Sequence, residues 1–275
     1  MAALREGSAA GAPHEIIDPR DLKYACNQCT AHWRREHDPF LWRDQLPFVR
    51  WGLAELQLGS WPLVGAAAAL VALGSWWSWA AVVPLVVLAW WASFFRNPRR
   101  TIPADPDAMV APADGVVDNV TDLGHYEFFG GPAVRIGIFL SIFNVHINRS
   151  PRAARVVEMH YKPGEFLDAR HPEATIRNEF MWLGFEDLER PGLRFAVRQV
   201  SGLLARRIVC ILRPGSQMSR GEMFGMIKLG SRTELIVPRD GVRIEVAVGQ
   251  AVKAGSTIVA RLAAPGAELP AAGGH

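Results

Sequence analysis

An uncharged segment from Leu56 to Phe95 is the most distinctive feature of the hydrophobic and polar pattern of the chain. Its 40 residues contain no Asp, Glu, Lys or Arg. A helix that crosses a membrane needs roughly 20 mostly apolar residues, so the segment has room for two short helices of about 17 residues each. Residues 74–78 (Gly-Ser-Trp-Trp-Ser) offer a turn between them. The pattern predicts a helical hairpin that dips into or crosses a bilayer, with one span kinked at Pro84 as the alternative.

The tryptophans support a membrane position for this hairpin. Indole rings favour the interface between membrane and water. Six of the ten tryptophans lie in the uncharged segment near the predicted helix ends: Trp61, Trp76, Trp77, Trp79, Trp90 and Trp91. The alternative interpretation of the segment is a hairpin buried in a soluble core, although soluble cores rarely contain so long a run without a charge. A cleaved signal peptide is disfavoured because the run starts far from Met1.

The pattern changes after residue 100 to short runs rich in β-branched residues, separated by turns such as Pro163-Gly164 and Pro214-Gly215. The runs predicted as strands are 116–117, 134–140, 156–159, 195–200, 208–212, 234–237, 242–248 and 258–262. Short strands with such turns indicate a mainly β fold, a small barrel or sandwich. The final stretch, 240–261, has the turn rhythm of lipoyl-like hairpins that wrap a small barrel.

These patterns divide the chain into three parts. Residues 1–55 form an N-terminal arm that we expect to be partly disordered, residues 56–95 form the membrane-associated hairpin, and residues 96–275 form one β domain. Three arginines follow the hairpin at once, namely Arg96, Arg99 and Arg100. Positive residues beside a span tend to stay in the cytoplasm. We therefore expect the β domain on the cytoplasmic side of the cell (inner) membrane.

Composition excludes several classes of protein. The 275 residues carry 30 basic and 27 acidic side chains, and a net charge of +3 without a basic stripe argues against a nucleic-acid binder. Half of the residues are hydrophobic, which excludes a disordered chain. Three cysteines are too few for a disulfide framework.

The N-terminal arm contains a short cluster of potential metal ligands. Cys26 and Cys29 precede His32 and His37. Zinc sites often use two cysteines and two histidines, but their ligand pairs are usually about a dozen residues apart. A zinc site, a redox dithiol and incidental thiols therefore stay open for the arm, and no metal is assigned elsewhere.

Two constellations in the β domain carry candidate nucleophilic chemistry. Gly230-Ser231 lies between an apolar run and a strand-like one, where a flexible glycine is costly. A glycine before a serine also allows close approach to the peptide carbonyl. Asp114-Gly115 reads equally well as a hairpin turn.

A third constellation contains a histidine among apolar residues. Asn144, His146 and Asn148 share one face of a predicted strand, because side chains alternate along a strand. Serine, histidine and aspartate are the residue types of nucleophilic catalysis. However, the sequence around Ser231 lacks the Gly-x-Ser-x-Gly elbow of the hydrolases.

From about residue 60 to 262 the chain resembles the short bacterial form of the phosphatidylserine decarboxylase proenzymes. The resemblance rests on motifs in family order: Phe94-Phe95-Arg96-Asn97-Pro98, Ala111-Pro-Ala-Asp114-Gly115, Asn144-Val-His146-Ile-Asn148-Arg149, Tyr161-Lys-Pro-Gly-Glu-Phe and Phe224-Gly-Met-Ile-Lys-Leu-Gly230-Ser231-Arg232. Longer members of the family carry two histidines near this strand. This sequence has only His146, so a single imidazole is available for both self-cleavage and decarboxylation.

The resemblance implies a self-processing zymogen. Ser231 would attack the carbonyl of Gly230, and β-elimination and hydrolysis would cut the chain into a β chain (1–230) and an α chain (231–275). Ser231 would become a pyruvoyl group, the built-in cofactor. His146, oriented by Asp114, would be the base that activates Ser231.

The resemblance also implies a substrate and partners. The amine of phosphatidylserine would form a Schiff base with the pyruvoyl ketone, and loss of carbon dioxide would lead to phosphatidylethanolamine after reprotonation by His146. Arg96, Arg99 and Arg100 would face anionic membrane lipids. The α and β chains would stay together, and a homo-oligomer is left open.

Two other functions compete with this one. The first is a decarboxylase that acts on a different serine-headgroup lipid. The second is a non-catalytic, membrane-anchored module of lipoyl-like shape, suggested by the turn-rich C-terminal stretch. Such a module would need neither Gly230-Ser231 nor His146.

Overall fold

The structure, a computed structural model, describes residues 41–168, 173–202, 207–228 and 230–263. Most of the predicted N-terminal arm, with Cys26, Cys29, His32 and His37, lies outside the described residues. The helices of the described residues are two 3-10 turns, at Leu41–Gln45 and Arg50–Gly52, and four α-helices: α1 (Leu53–Ala72), α2 (Trp77–Ala80), α3 (Val82–Phe94) and α4 (Ala174–Arg177).

The uncharged segment folds as the predicted helical hairpin, in which α1 packs against α3. The chain turns at Gly74 and Ser75, both of which have a positive φ. The two helices approach closely at Gly59, where an added Cβ would overlap the indole of Trp91. That indole also donates a hydrogen bond to the carbonyl of Leu56 at 3.3 Å. The absence of a side chain at Gly59 therefore lets α1 and α3 come together.

Most of the hairpin surface is not covered by protein. Trp79 is 80% exposed and Leu58 is 75% exposed, so the hairpin is not the core of a soluble fold. Within the described residues, one helical stretch, Trp77–Phe94, is long and apolar enough to cross a membrane. Such a stretch is consistent with membrane association of this part of the chain.

The rest of the described chain is mainly β, as predicted. Its strands are β1 (Ala108–Val110), β2 (Gly115–Tyr126), β3 (Gly131–Leu140), β4 (Ile147–Arg149), β5 (Ala154–Lys162), β6 (Phe180–Asp187), β7 (Arg194–Val200), β8 (Ile208–Cys210), β9 (Gln217–Met218), β10 (Met223–Ile227), β11 (Ser231–Pro238), β12 (Val242–Ile244), β13 (Ala251–Val252) and β14 (Ile258–Leu262). All eight predicted runs overlap strands. The strand β6 escaped prediction because Phe180–Asp187 contains no β-branched residue and carries Gly184.

The strands of the described residues form three antiparallel sheets around a main core. The large sheet has the order β13-β2-β3-β11-β7-β6-β5-β9, and the two small sheets have the orders β1-β14-β12 and β4-β10-β8. The main core draws buried side chains from all three sheets, for example Ile138, Phe224 and Val259. The small sheets therefore cover one face of the large one, which is a sandwich-like arrangement.

The hairpin is joined to the β domain through a second apolar cluster. Phe94 and Phe95, at the end of α3, pack against Val145, Ile147 and Met226 of the small β4-β10-β8 region. An edge-to-face contact between the two phenyl rings, with centroids 5.0 Å apart, completes the junction. The end of the membrane-type helix is thus fixed beside the loop that carries His146.

The predicted common strand face of Asn144, His146 and Asn148 is wrong. Only Asn148 lies in a strand, β4, while Asn144 belongs to a turn. The Asn144 side chain accepts hydrogen bonds from the main chain (2.9 Å) and hydroxyl (2.7 Å) of Ser141, and this closes the turn. The turn breaks the alternation on which the prediction depended.

Candidate active site

Gly230 and Ser231 lie at the start of β11, in the centre of the large sheet. β11 pairs with β3 on one side and with β7 on the other. Ser231 is fully buried, and its hydroxyl has no hydrogen-bond partner among the described residues. Gly230 has a φ of +68°, a conformation that favours glycine. The sheet therefore holds a buried, unpaired hydroxyl directly after a glycine carbonyl.

The imidazole of His146 approaches Gly230 from the segment that precedes β4. Its Nε2 accepts a hydrogen bond from the main-chain N–H of Gly230 at 3.2 Å, and its Nδ1 donates to the carbonyl of Asn144 at 2.9 Å. The ring of Phe94 lies over the imidazole with centroids 4.4 Å apart. The two hydrogen bonds select the tautomer with its proton on Nδ1, in which the Nε2 lone pair faces the main-chain N–H of Gly230.

Burial keeps the imidazole of His146 uncharged. Desolvation lowers the pKa of His146 to about 4, and the positive charge of Arg96 acts in the same direction. At neutral pH the ring is therefore a neutral group that accepts a proton. This is the protonation state that a general base requires.

Gly202 is a site residue that the sequence reasoning missed. It follows β7 and lies against the carbonyl of Gly230, so close that an added Cβ would be 2.0 Å from the carbonyl oxygen. The lack of a side chain at Gly202 is what allows the Gly230 carbonyl to occupy its place. No local signal marks Gly202, because its role depends on a partner 28 residues along the chain.

Asp114 does not contact His146, contrary to the predicted orientation of the imidazole by this carboxylate. Its oxygens accept hydrogen bonds from Arg100, at 2.6 and 2.8 Å, and one of them also accepts from the main-chain N–H of Ala254 at 2.8 Å. Both ring nitrogens of His146 bind main-chain groups instead. Asp114 thus ties the segment after the hairpin to the C-terminal part of the domain.

The three arginines after the hairpin have different surroundings. Arg99 is exposed, as expected of a residue that faces lipid headgroups. Arg100 does not match that expectation, because its side chain is 9% exposed and is paired with Asp114. Arg96 donates to the carbonyls of Ser93 (2.6 Å) and Phe143 (2.9 Å).

A buried cation lies beside the site and was not predicted. Lys228, two residues before Gly230, forms an ion pair with Glu55 of α1. Glu55 also pairs with Arg207 at 3.4 Å. Burial lowers the pKa of Lys228, while Glu55 acts in the opposite direction. This ion pair is a polar link between the first hairpin helix and the strand that leads to Ser231.

The residue after Ser231 is held by buried charges. Arg232 pairs with Asp118 of β2 and, at 3.0 Å, with Glu234 of its own strand. Gly137 on β3 leaves the space that the Arg232 guanidinium occupies, since an added Cβ would be 2.1 Å from its Nη2 atom. These contacts fix the first residues of β11 independently of the peptide bond that precedes them.

No group of three or more His, Cys, Asp or Glu side chains that could hold a metal ion occurs in the described part of the chain.

The comparisons with known proteins agree with one another. Residues 87–260 match the family model described as phosphatidylserine decarboxylase. A phosphatidylserine decarboxylase proenzyme of Rhodopirellula baltica is 48% identical over 241 residues, which cover 87% of this chain and 98% of that protein. Proenzymes of the same name from Carboxydothermus hydrogenoformans and Pelobacter propionicus are 44% and 47% identical. Each alignment covers 62% of this chain, with 78% and 75% of those proteins.

Proposed function

The chain belongs to the phosphatidylserine decarboxylase family, a family of carboxy-lyase zymogens, and we propose that it cuts itself between Gly230 and Ser231 and then converts phosphatidylserine to phosphatidylethanolamine and carbon dioxide. The observation that carries this proposal is the buried hydroxyl of Ser231. It has no hydrogen-bond partner among the described residues, and it follows a glycine whose N–H is bound by an uncharged imidazole. An unpaired buried hydroxyl is costly to a fold, and its use as a nucleophile supplies a reason to keep it.

The proposed self-cleavage takes three steps. The Ser231 hydroxyl oxygen bonds to the Gly230 carbonyl carbon while the amide C–N bond breaks, and the released nitrogen takes up the proton, which gives an ester. Loss of the Ser231 α-proton then breaks the bond between its Cβ and the ester oxygen, so Gly230 ends as a carboxylate. Addition of water and loss of ammonia at residue 231 leave a ketone, the pyruvoyl group.

His146 is the proposed base for the first step. Its Nε2 lone pair accepts the hydrogen bond from the N–H of Gly230, one residue from the hydroxyl, and its pKa of about 4 keeps this nitrogen unprotonated at neutral pH. Activation of Ser231 requires this nitrogen to exchange the Gly230 N–H for the Ser231 hydroxyl as its hydrogen-bond donor. A positioned base of this kind contributes about 100-fold to 10,000-fold to a rate.

The residues around Ser231 also fit a pyruvoyl group. Gly202 accommodates the Gly230 carbonyl, and the ion pairs of Arg232 keep β11 in the sheet once the chain is open. The bound ketone supplies an acceptor for the substrate amine and an electron sink for the bond that loses carbon dioxide. His146 then holds the proton that returns to the substrate carbon. Since β11 lies between β3 and β7, the α chain (231–275) stays paired with the β chain (1–230).

The hairpin supports a membrane-bound enzyme, since the proposed lipid substrate lies in a membrane. We place the β domain on the cytoplasmic side of the inner membrane, because arginines follow the hairpin directly. Arg99 is the member of that group best placed to meet anionic lipids, as the structure leaves it exposed.

The experiment is a comparison of intact masses. The purified wild-type protein should give two chains that meet at residues 230 and 231, and Ser231→Ala should give one inactive chain. A matched control is Ser256→Ala, since Ser256 also follows a glycine with a positive φ, +74° at Gly255. This variant should be cut and active. A single uncut chain in active wild-type protein would overturn the proposal, and normal cleavage of His146→Gln would remove His146 from the role of base.

A further inference from the structure

An exposed phenylalanine lies close to the site on a rigid turn. Phe143 is 66% exposed, in a turn that is closed by the hydrogen bond from the Asn144 N–H to the Ser141 carbonyl at 2.9 Å. The side chain of Asn144 accepts two further bonds from Ser141. The chain therefore holds this large apolar side chain away from the protein in a fixed position.

Arg96 ties this turn to the end of the hairpin. One guanidinium nitrogen donates to the carbonyl of Phe143 at 2.9 Å, and the other donates to the carbonyl of Ser93 in α3 at 2.6 Å. α3 ends at Phe94 and forms part of the helical stretch long enough to cross a membrane. Phe143 is thus held at the level where the apolar hairpin meets the β domain.

We propose that Phe143 inserts into the lipid bilayer at its interface and that the β domain thereby contacts the membrane through its own turn as well as through the hairpin. Aromatic side chains beside the end of a membrane helix favour this interface. The Arg96 guanidinium binds the turn carbonyl and leaves the phenyl ring outside. Because Arg96 joins this turn to the end of a hairpin whose apolar side chains are exposed, a bilayer, rather than a soluble protein, is the partner of this turn.

The contact has a consequence for the proposed function, on which this step rests. Three residues after Phe143, the same segment presents His146 to the main-chain N–H of Gly230. A turn seated in the interface would hold the active site at the depth of the lipid headgroups. The lipid would then need to leave the bilayer only in part to reach residue 231.

A fluorescence experiment tests the insertion without reference to catalysis. The full chain, with Cys26 and Cys29 changed to serine, receives the variant Phe143→Cys, is labelled with an NBD fluorophore and is reconstituted into phosphatidylcholine–phosphatidylglycerol bilayers. Cys210 is buried, and burial raises the pKa of its thiol to about 12, so it does not compete for the label.

Equally exposed positions elsewhere in the β domain serve as matched controls. Ile176→Cys and Val248→Cys replace residues that are 67% and 62% exposed. NBD at position 143 should emit at shorter wavelength and be quenched by lipids with a nitroxide on the acyl chain, and NBD at 176 and 248 should not. Equal quenching at all three positions, or none at 143, would overturn the proposal. Insensitivity at 143 with shielding by a co-purified protein would assign the turn to a protein partner instead.

An activity experiment separates this inference from the proposed function. Phe143→Ser should be cleaved at the normal rate and should need roughly tenfold more phosphatidylserine vesicles for half-maximal rate, as expected for the loss of one buried aromatic side chain. Phe143→Leu should restore most of the difference, and the maximal rate should stay unchanged in both variants. Normal vesicle dependence in Phe143→Ser would refute insertion while leaving the decarboxylase intact. A cleaved but inactive wild-type chain that shows NBD quenching would refute the function alone.

Discussion

A single methyl group at position 202 should stop self-cleavage. In Gly202→Ala the new Cβ would lie 2.0 Å from the Gly230 carbonyl oxygen and 2.8 Å from its carbon. Both atoms belong to the backbone, so the clash cannot be relieved by rotation of a side chain. The crowding therefore falls on the carbonyl that Ser231 is proposed to attack.

The size of the effect follows from that distance. Real Cβ contacts below 3.0 Å are essentially never seen, so the Gly230 carbonyl must shift by about 1 Å. A misplacement of about 1 Å in a reacting group lowers a rate by roughly 100-fold, equivalent to about 2.7 kcal/mol of activation free energy. The same crowding should lower the free energy of unfolding by about 1–3 kcal/mol.

Cleavage during cell-free synthesis in the presence of lipid nanodiscs provides the assay. The uncut fraction is followed by gel electrophoresis, with Ser231→Ala as the uncut standard, and hydroxylamine is added to part of each sample because it cleaves an accumulated ester. In Gly202→Ala hydroxylamine should release little α chain, since the ester-forming step itself is blocked.

Two control variants separate the effect of a displaced Gly230 carbonyl from the effect of a less stable fold. Gly124→Ala adds a Cβ with no heavy atom within 4 Å and should be cut normally. Val197→Ala, in the buried face of β7, should lose about 2 kcal/mol of stability and still be cut. Cleavage of Gly202→Ala at the wild-type rate would refute the reasoning, and so would an equal slowing in Val197→Ala.

Three further predictions concern buried charged and titratable groups. Because the pKa of His146 is lowered from 6.5 to about 4 in the fold, its contribution to stability is complete above pH 6.5 and is lost as the pH falls to 4. Denaturant titrations should show a loss of about 3 kcal/mol over this window that is largely absent in His146→Gln. Glu55→Gln should lower the free energy of unfolding by about 1–2 kcal/mol, because Lys228 loses its carboxylate partner. The double variant with Lys228→Met should recover part of this loss of stability. Additive losses from the two substitutions would argue against the pair. Arg152 and Asp187 form an ion pair in which both side chains are fully buried. Arg152→Met should lower the free energy of unfolding by roughly 3–5 kcal/mol, because Asp187 would keep a buried charge without its ion-pair partner. A loss below about 1 kcal/mol in thermal or denaturant unfolding would contradict this stabilising role of the pair.

Several features of this protein follow from its sequence alone. The hairpin was predictable because a run of 40 uncharged residues excludes most other structures, and the strands were predictable where β-branched residues are dense, as in 134–140. Gly230 and Ser231 could be singled out by motif resemblance. Periodicity failed at Asn144, where side-chain hydrogen bonds to Ser141 make a turn.

Only the tertiary structure decided how the site residues meet. His146 and Gly230 are 84 residues apart, and Lys228 and Glu55 are 173 apart. Such contacts depend on sheet order and on the docking of the hairpin, which no local pattern encodes. The pairing of Asp114 with Arg100 rather than with His146 has the same origin. The sequence thus singled out the residues that we propose to carry the chemistry, and the packing of the sheets determined their partners and the state of charge of the imidazole.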